Sequence, residues 1–347
     1  IIIVTKYKEE IIKDYFKDNY KNTPIKYITQ NDEKWTAAAI RWINLSNKTD
    51  VLVLNWDSIF DASDLEKIIS LNWFWSLVKK VDDPSKYWIF KQDENGFATE
   101  IIEKPEDFVW DLANLWVYKF DSSIIDISKN INLSIRGEYE ITDSINEFLK
   151  HQKFSLIEVS WAFIDVGYPW DILTANSHFL NNLTKSSIAW DIEEWVTIKW
   201  KIILEEWAIL KSWTYIEWNV YIWKNTSIWP NTYLRGNTVI WDNCKIWNAV
   251  EIKNTSIWDH TNVAHLSYIW DSILGNHVNI GWWLITANLR HDKGDIKVMV
   301  KEKLVNTHLH KLWVIIWDNS KTWIKTMTYP GRVLPNDSFT MPWEIVK

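Results

Sequence analysis

Glycine is scarce in this chain: 8 residues in 347, where the usual share of about 7% would give roughly 24. Cysteine occurs once, as Cys244. That excludes an internal disulfide, and the lack of CxxC or Cys/His ligand spacing excludes a structural zinc site. No apolar run approaches the roughly 18 residues of a membrane span, and no signal-peptide pattern is present. A membrane partner is therefore not expected, and the expected location is the cytoplasm. There is no basic excess either. The net charge is -7 and Lys and Arg are interspersed, so the chain has no electrostatic footprint for nucleic acid. Nor does it open on methionine. It begins directly with the strand-like IIIVT, and the native N-terminus is expected upstream.

What is present, from residue 192 onward, is a repeat. Ile192, Ile198, Leu204, Leu210, Ile216, Ile222 and their successors recur at every sixth position through Ile252. A period of six fits neither an amphipathic helix nor an alternating strand. It fits a solenoid in which each hexad is one short strand plus a turn and stacked hexads bury an aliphatic column. The column continues with one-residue slips through Ile257, Val263, Ile269, Leu274 and Ile280. It resumes at Leu312–Ile316, Thr322 and Leu334 after a polar excursion from about Thr286 to His310. Most polar residues of the hexads are read as solvated faces.

The scarcity of glycine and the repeat are connected. The residue after the inward aliphatic is repeatedly tryptophan: Trp223, Trp229, Trp241, Trp247, Trp258, Trp270, Trp317 and Trp323. Hexad turns bring successive coils close together, and glycine, without a Cβ, is the residue that fits there. The chain holds 28 tryptophans. Most of them are read as glycines of the native protein, because UGA is stop in most genomes, tryptophan in some and glycine in others. Trp170 is the exception, a true tryptophan. The alternative is a genuinely tryptophan-rich chain, which should fold poorly or throw its indoles outward from the turns as an exposed fringe.

The first half alternates strands and helices. Ile1–Thr5, Ile25–Thr29 and Val51–Leu54 read as strands, Lys8–Phe16 as an amphipathic helix and Trp35–Trp42 as an alanine-rich helix. This alternation implies an α/β domain with a mainly parallel sheet, whose ligands bind at the carboxyl ends of strands. Asp57 follows one such end. A division into residues 1–180 and 181–347 follows, with 177–187 as the link.

Several segments then agree in order and spacing with one family. VLVLNWDSIF, QNDEKWTAAAI, DDPSKYWIF, EIIEKP, ANLWVYKF, RGEYEITDSIN and FIDVGYPWDILTAN together resemble the sugar-1-phosphate nucleotidyltransferases. The resemblance implies that Gln30, Trp35 and Thr36 face the nucleotide base, and that Asp57 and Asp165 hold Mg²⁺. It also implies that Trp88, Glu103, Lys104 and Asn114 line the sugar-phosphate pocket, with Trp35 and Trp88 read as glycine. The family's opening strand, glycine-rich loop and basic residue have no counterpart here, so the domain is expected to be N-terminally incomplete.

In the second half, Arg235 and Lys253 stand 18 residues apart, three hexads, which stacks two cations one coil apart as a clamp for phosphate. AHLSYIWDSILGNHVNIGWWLITANLRHD resembles the acetyltransferase half of the bifunctional glucosamine-1-phosphate acetyltransferase/N-acetylglucosamine-1-phosphate uridyltransferase family, in its archaeal-like form. That resemblance implies a left-handed parallel β-helix, a homotrimer with sites between subunits, and acetyl-CoA as co-substrate. His265 would be the general base, Arg235 and Lys253 would bind the sugar phosphate, and Tyr268, Asn279 and Asn288 would hold the amino sugar. The expected substrates are a nucleoside triphosphate, a sugar-1-phosphate and acetyl-CoA. Two other readings stay open: a glucose-1-phosphate thymidylyl- or uridylyltransferase whose β-helix only oligomerises, and a pure scaffold.

Overall fold

The computed structural model describes residues 1–347 except 32–34, 46–48, 61, 160–162 and 288. The chain forms two compact units, Ile1–Phe163 and Ile164–Lys347.

In the first unit, strand Ile2–Thr5 lies parallel to Lys26–Thr29, Ile2 opposite Lys26. Helix Glu9–Phe16 forms between them, yet none of its residues is buried. Ile11 and Tyr15, expected on a packed face, are exposed, because a two-stranded sheet offers too narrow a surface to cover an apolar stripe. The larger sheet is mixed. Phe74–Lys80 and Phe154–Glu158 form a parallel pair, whereas Leu112–Asp121 is antiparallel to Phe74–Lys80, to Asp50–Leu54 and to Trp88–Gln92. Trp88–Gln92 and Ala98–Glu103 make a hairpin. Asp93 Oδ1 fixes its turn by accepting from the N–H groups of Asn95 and Phe97, both at 2.9 Å. Helices Ser123–Asn130 and Ile141–Leu149 cover this sheet, with Ile124, Ile145 and Phe148 packed among Phe90, Phe120 and Phe154.

The second unit opens with strand Ile164–Asp165 and helix Asp171–Asn181, then becomes a left-handed parallel β-helix. Its first face, which begins with strand Ser187–Ile188, and its third, which begins with Thr197–Ile198, carry eight strands each, and its second, which begins with Asp191–Ile192, carries six. The expected aliphatic column is its core: Leu204, Leu210, Ile216, Ile222, Ile228, Leu234, Ile240, Ile246 and Ile252 are fully buried. Register records the slips directly. Ile202 pairs with Val220 and Val220 with Thr238, 18 residues per coil, but Val239 pairs with Ser256 and Ser256 with Ile273, 17 per coil.

Two features depart from the sequence expectation. Hexad threonines such as Thr226 and Thr232 are buried rather than solvated. Their hydroxyls donate to turn carbonyls, Thr226 to Trp241 at 2.6 Å and Thr232 to Trp229 at 2.7 Å, which satisfies them inside the coil. The excursion is not purely polar: it contains the antiparallel hairpin Lys297–Val300/Lys303–Asn306. Ile296 and Val298 pack with Trp170, Leu173, Leu312 and Ile315 in a cluster of their own. Trp170, the expected true tryptophan, is therefore a core residue.

The other tryptophans of the coils are largely an outward fringe. Trp195 and Trp213 stack at 5.5 Å, and Trp223 and Trp241 at 4.9 Å; Trp195 is 66% exposed. Trp195, Trp207 and Trp213 occupy left-handed turns at φ 68°, 63° and 65°, a conformation that costs a residue with a Cβ about 1–2 kcal/mol. Asn225, Asn231 and Asn243 hold the equivalent place in later coils, as expected of a side chain that tolerates it. No helix of the described residues is long and apolar enough to cross a membrane.

Candidate active site

The third face of the solenoid brings several expected residues together. Arg235 lies directly opposite Lys253 in the parallel register of Tyr233–Arg235 and Glu251–Lys253, so the two cations stack one coil apart as anticipated. Lys253 in turn lies opposite Trp270, and Tyr268 opposite Glu251. His265 sits at the exposed corner between strand Asn262–Val263 and strand Tyr268–Trp270, its ring 5.3 Å from that of Trp247. Tyr268 is half-buried, and its phenol is pushed up by burial and then by the carboxylate of Glu251. Both cations have counter-ions: Arg235 Nη1 lies 3.8 Å from Glu251, and Lys253 Nζ 3.6 Å from Asp271.

Asn279 is not on this face. It belongs to the second face, opposite Asn262 and exposed to solvent. Asn288 lies outside the described residues.

In the first unit a second cluster forms at the hairpin. Trp88 is the register partner of Glu103, and Ala113 that of Ile89, which brings Asn114 level with Trp88. Asn114 is 5% exposed. Its amide donates to Tyr118 Oη at 2.6 Å, and its carbonyl oxygen accepts the Trp116 N–H at 3.1 Å. Burial raises the Tyr118 phenol far above its ordinary range, so that group stays protonated. Lys104 is exposed, with φ 38°. Arg136, which the sequence reading did not single out, closes the cluster: it bonds Glu103 at 2.8 Å and pairs with Glu140 at 2.8 Å. Its signal was its place within RGEYEITDSIN, three residues ahead of Tyr139.

A family model described as "Nucleotidyl transferase" matches residues 1–182, and one described as "GMPPB C-terminal domain" matches residues 216–309. A protein named "Bifunctional protein GlmU" from Methanocaldococcus jannaschii is 38% identical over 95% of this chain and 79% of its own length. Another of that name from Methanococcus aeolicus is 36% identical over 98% and 81%. The chain belongs to the GlmU-type bifunctional sugar-1-phosphate nucleotidylyltransferase/acetyltransferase family. A relative carrying the latter description, from Sulfurisphaera tokodaii, is 36% identical over 92% of this chain and 79% of its own length.

Within this GlmU-type frame the remaining expected residues are placed unevenly. Gln30 follows strand Lys26–Thr29, its N–H donating to the Thr5 carbonyl at 2.8 Å. Thr36 is exposed, and its Oγ1 accepts the N–H of Ile141 at 3.1 Å, at the start of helix Ile141–Leu149, which leaves its own O–H as a donor. The reason is local, since a helix N-terminus leaves N–H groups unsatisfied. Trp35 opens the alanine-rich helix, and its side chain is outside the described residues. Asp57 follows the end of strand Asp50–Leu54 and is exposed. Asp165 ends strand Ile164–Asp165 and is also exposed.

Proposed function

We propose that this GlmU-type chain makes an N-acetylated sugar nucleotide in two reactions. The solenoid moves the acetyl group of acetyl-CoA to the amine of glucosamine-1-phosphate, and the first unit moves a nucleotidyl group from a nucleoside triphosphate to a sugar-1-phosphate. The observation that carries the acetyl-transfer half is the gathering of Arg235, Lys253 and Tyr268 on one face with His265 at its corner. Two stacked cations suit a phosphate ester. An imidazole at the corner that leads into this face suits removal of the proton from the sugar's ammonium group as the amine attacks the thioester carbonyl, with the thiolate of coenzyme A leaving.

For the nucleotidyl half, Asp57 and Asp165 are exposed carboxylates and supply hard oxygen donors, the kind Mg²⁺ takes together with substrate phosphates. Bound there, Mg²⁺ would offset charge on the reacting phosphates. Glu103, Asn114 and Arg136 would orient the sugar phosphate. Asp57→Asn is expected to abolish Mg²⁺-dependent nucleotidyl transfer while acetyl transfer continues at the parental rate. Loss of both activities would show that the two sites are not independent.

Asn279 supports the trimer. Standing on a different face from Lys253, it reaches an amino-sugar site only if a neighbouring copy presents that face. Light scattering at micromolar concentration is expected to show three copies, and a clean monomer would count against the shared site. Catalysis in the cytoplasm is part of the same reading.

A further inference from the structure

Strand Leu112–Asp121 carries a bulge where the cluster around Asn114 meets the turn of Asp57. Against Phe74–Lys80 it pairs Asn114 with Val78 and then Tyr118 with Ser76, so residues 115–117 stand opposite Leu77 alone. A chain of hydrogen bonds holds this bulge. Tyr118 Oη accepts from Asn114 Nδ2 at 2.6 Å, and Asn114 Oδ1 accepts the N–H of residue 116 at 3.1 Å. The carbonyl of residue 116 in turn accepts the N–H of Asn55 at 3.3 Å. This last bond extends the ladder in which Val117 faces Leu54. Beyond it the chain turns at residues 56–57, and Asp57 leaves the sheet for solvent. Residue 116 enters only through its backbone, at φ 59°, a conformation glycine adopts freely. The bonds are therefore the same with glycine there as with tryptophan.

The anchor of the chain is rigid. Tyr118 is fully buried and stacks on Phe120 at 5.5 Å, so the core fixes its hydroxyl. Without that oxygen the buried amide of Asn114 loses its acceptor and must turn to find another. Bulges of this kind re-aim side chains beside active sites. We propose that Tyr118 is a positioning residue for nucleotidyl transfer: by anchoring Asn114 and the bulge, its hydroxyl sets where the ladder ends and so where Asp57 stands. Being buried, it acts through Asn114 and the backbone. The proposal rests on the nucleotidyl-transfer reading for the work of Asp57, though not for the brace itself.

Two variants test it. Tyr118→Phe removes the anchoring oxygen and keeps the ring, and Asn114→Ala removes the middle of the chain and carries the same readouts should Tyr118→Phe not fold. Phe120→Leu, in the same core but outside the hydrogen bonds, is the control. Thermal melting follows folding. Hydrogen exchange at the amides of Asn55 and residue 116, taken relative to that of Lys119, is expected to be about two- to tenfold faster in Tyr118→Phe, the worth of one hydrogen bond, and unchanged in Phe120→Leu. Nucleotidyl transfer is then assayed with N-acetylglucosamine-1-phosphate and UTP or dTTP, whichever the parent turns over. Tyr118→Phe is expected to lower turnover and to raise the Mg²⁺ concentration needed for half-maximal rate by a similar factor. Equal relative exchange in the parent and Tyr118→Phe overturns the brace. A raised Michaelis constant for the sugar phosphate with an unchanged Mg²⁺ requirement also overturns the proposal, because Asn114 then serves the sugar alone. If exchange at Asn55 rises in Tyr118→Phe while Asp57→Asn keeps parental nucleotidyl transfer, the brace stands and the reading of Asp57 falls.

Discussion

His265→Ala is expected to lower the turnover of acetyl transfer by about 10²–10⁴-fold, the usual worth of a general base, with nucleotidyl transfer unchanged. The Michaelis constant for glucosamine-1-phosphate should move little, because Arg235 and Lys253 stand on neighbouring coils and do not lean on the imidazole. His265 is exposed at a corner and outside the aliphatic column, so its replacement leaves the fold intact. A variant that keeps parental turnover would make His265 a bystander and would favour a solenoid that serves only assembly.

Peptide mass spectrometry of protein from the native host is expected to find glycine at positions 223, 241 and 270 and tryptophan at 170. Among the described residues six tryptophans hold left-handed backbone, at 116, 195, 207, 213, 283 and 343. At about 1–2 kcal/mol each, these alone rival the roughly 5–15 kcal/mol that hold a domain together. Trp75 and Trp313 add a second kind of cost: both are fully buried with an indole N–H that has no hydrogen-bond partner, about 1–3 kcal/mol apiece. Trp170 differs in kind. It fills a cluster with Leu173, Ile296 and Val298, and glycine there would leave a cavity. Tryptophan masses at 223, 241 and 270 would overturn the recoding. The outward stacks, such as Trp223 on Trp241, would then be the chain's own means of carrying these side chains.

The hexad period was readable because a solenoid repeats the same environment at each sixth residue, so every coil votes for the same answer. The Arg235–Lys253 stack followed from the same arithmetic, since three hexads make one turn. The nucleotidyltransferase segments were readable by their order; that a hairpin makes Trp88 and Glu103 register partners was not. Other features left no local mark. The bond from the Ile141 N–H to the Thr36 hydroxyl is one, since 105 positions separate the two residues. The hairpin 297–306 was hidden because its apolar residues alternate with lysines and its partners, Trp170 and Leu173, lie more than a hundred residues away.

By itself, then, the sequence determined a two-part enzyme with a parallel coil, an inward aliphatic column and a cation pair at fixed spacing. All of these depend on periodicity or on short motifs, which are local properties of the chain. Only the tertiary structure decided which residues share a face. Asn279 and Lys253 are separated by a solenoid corner although they are close in sequence. Trp270 covers Arg235 although 35 positions lie between them. Coil length sets which side chains become neighbours, and the slips from 18 to 17 residues bring Trp270, rather than Asp271, over the two cations.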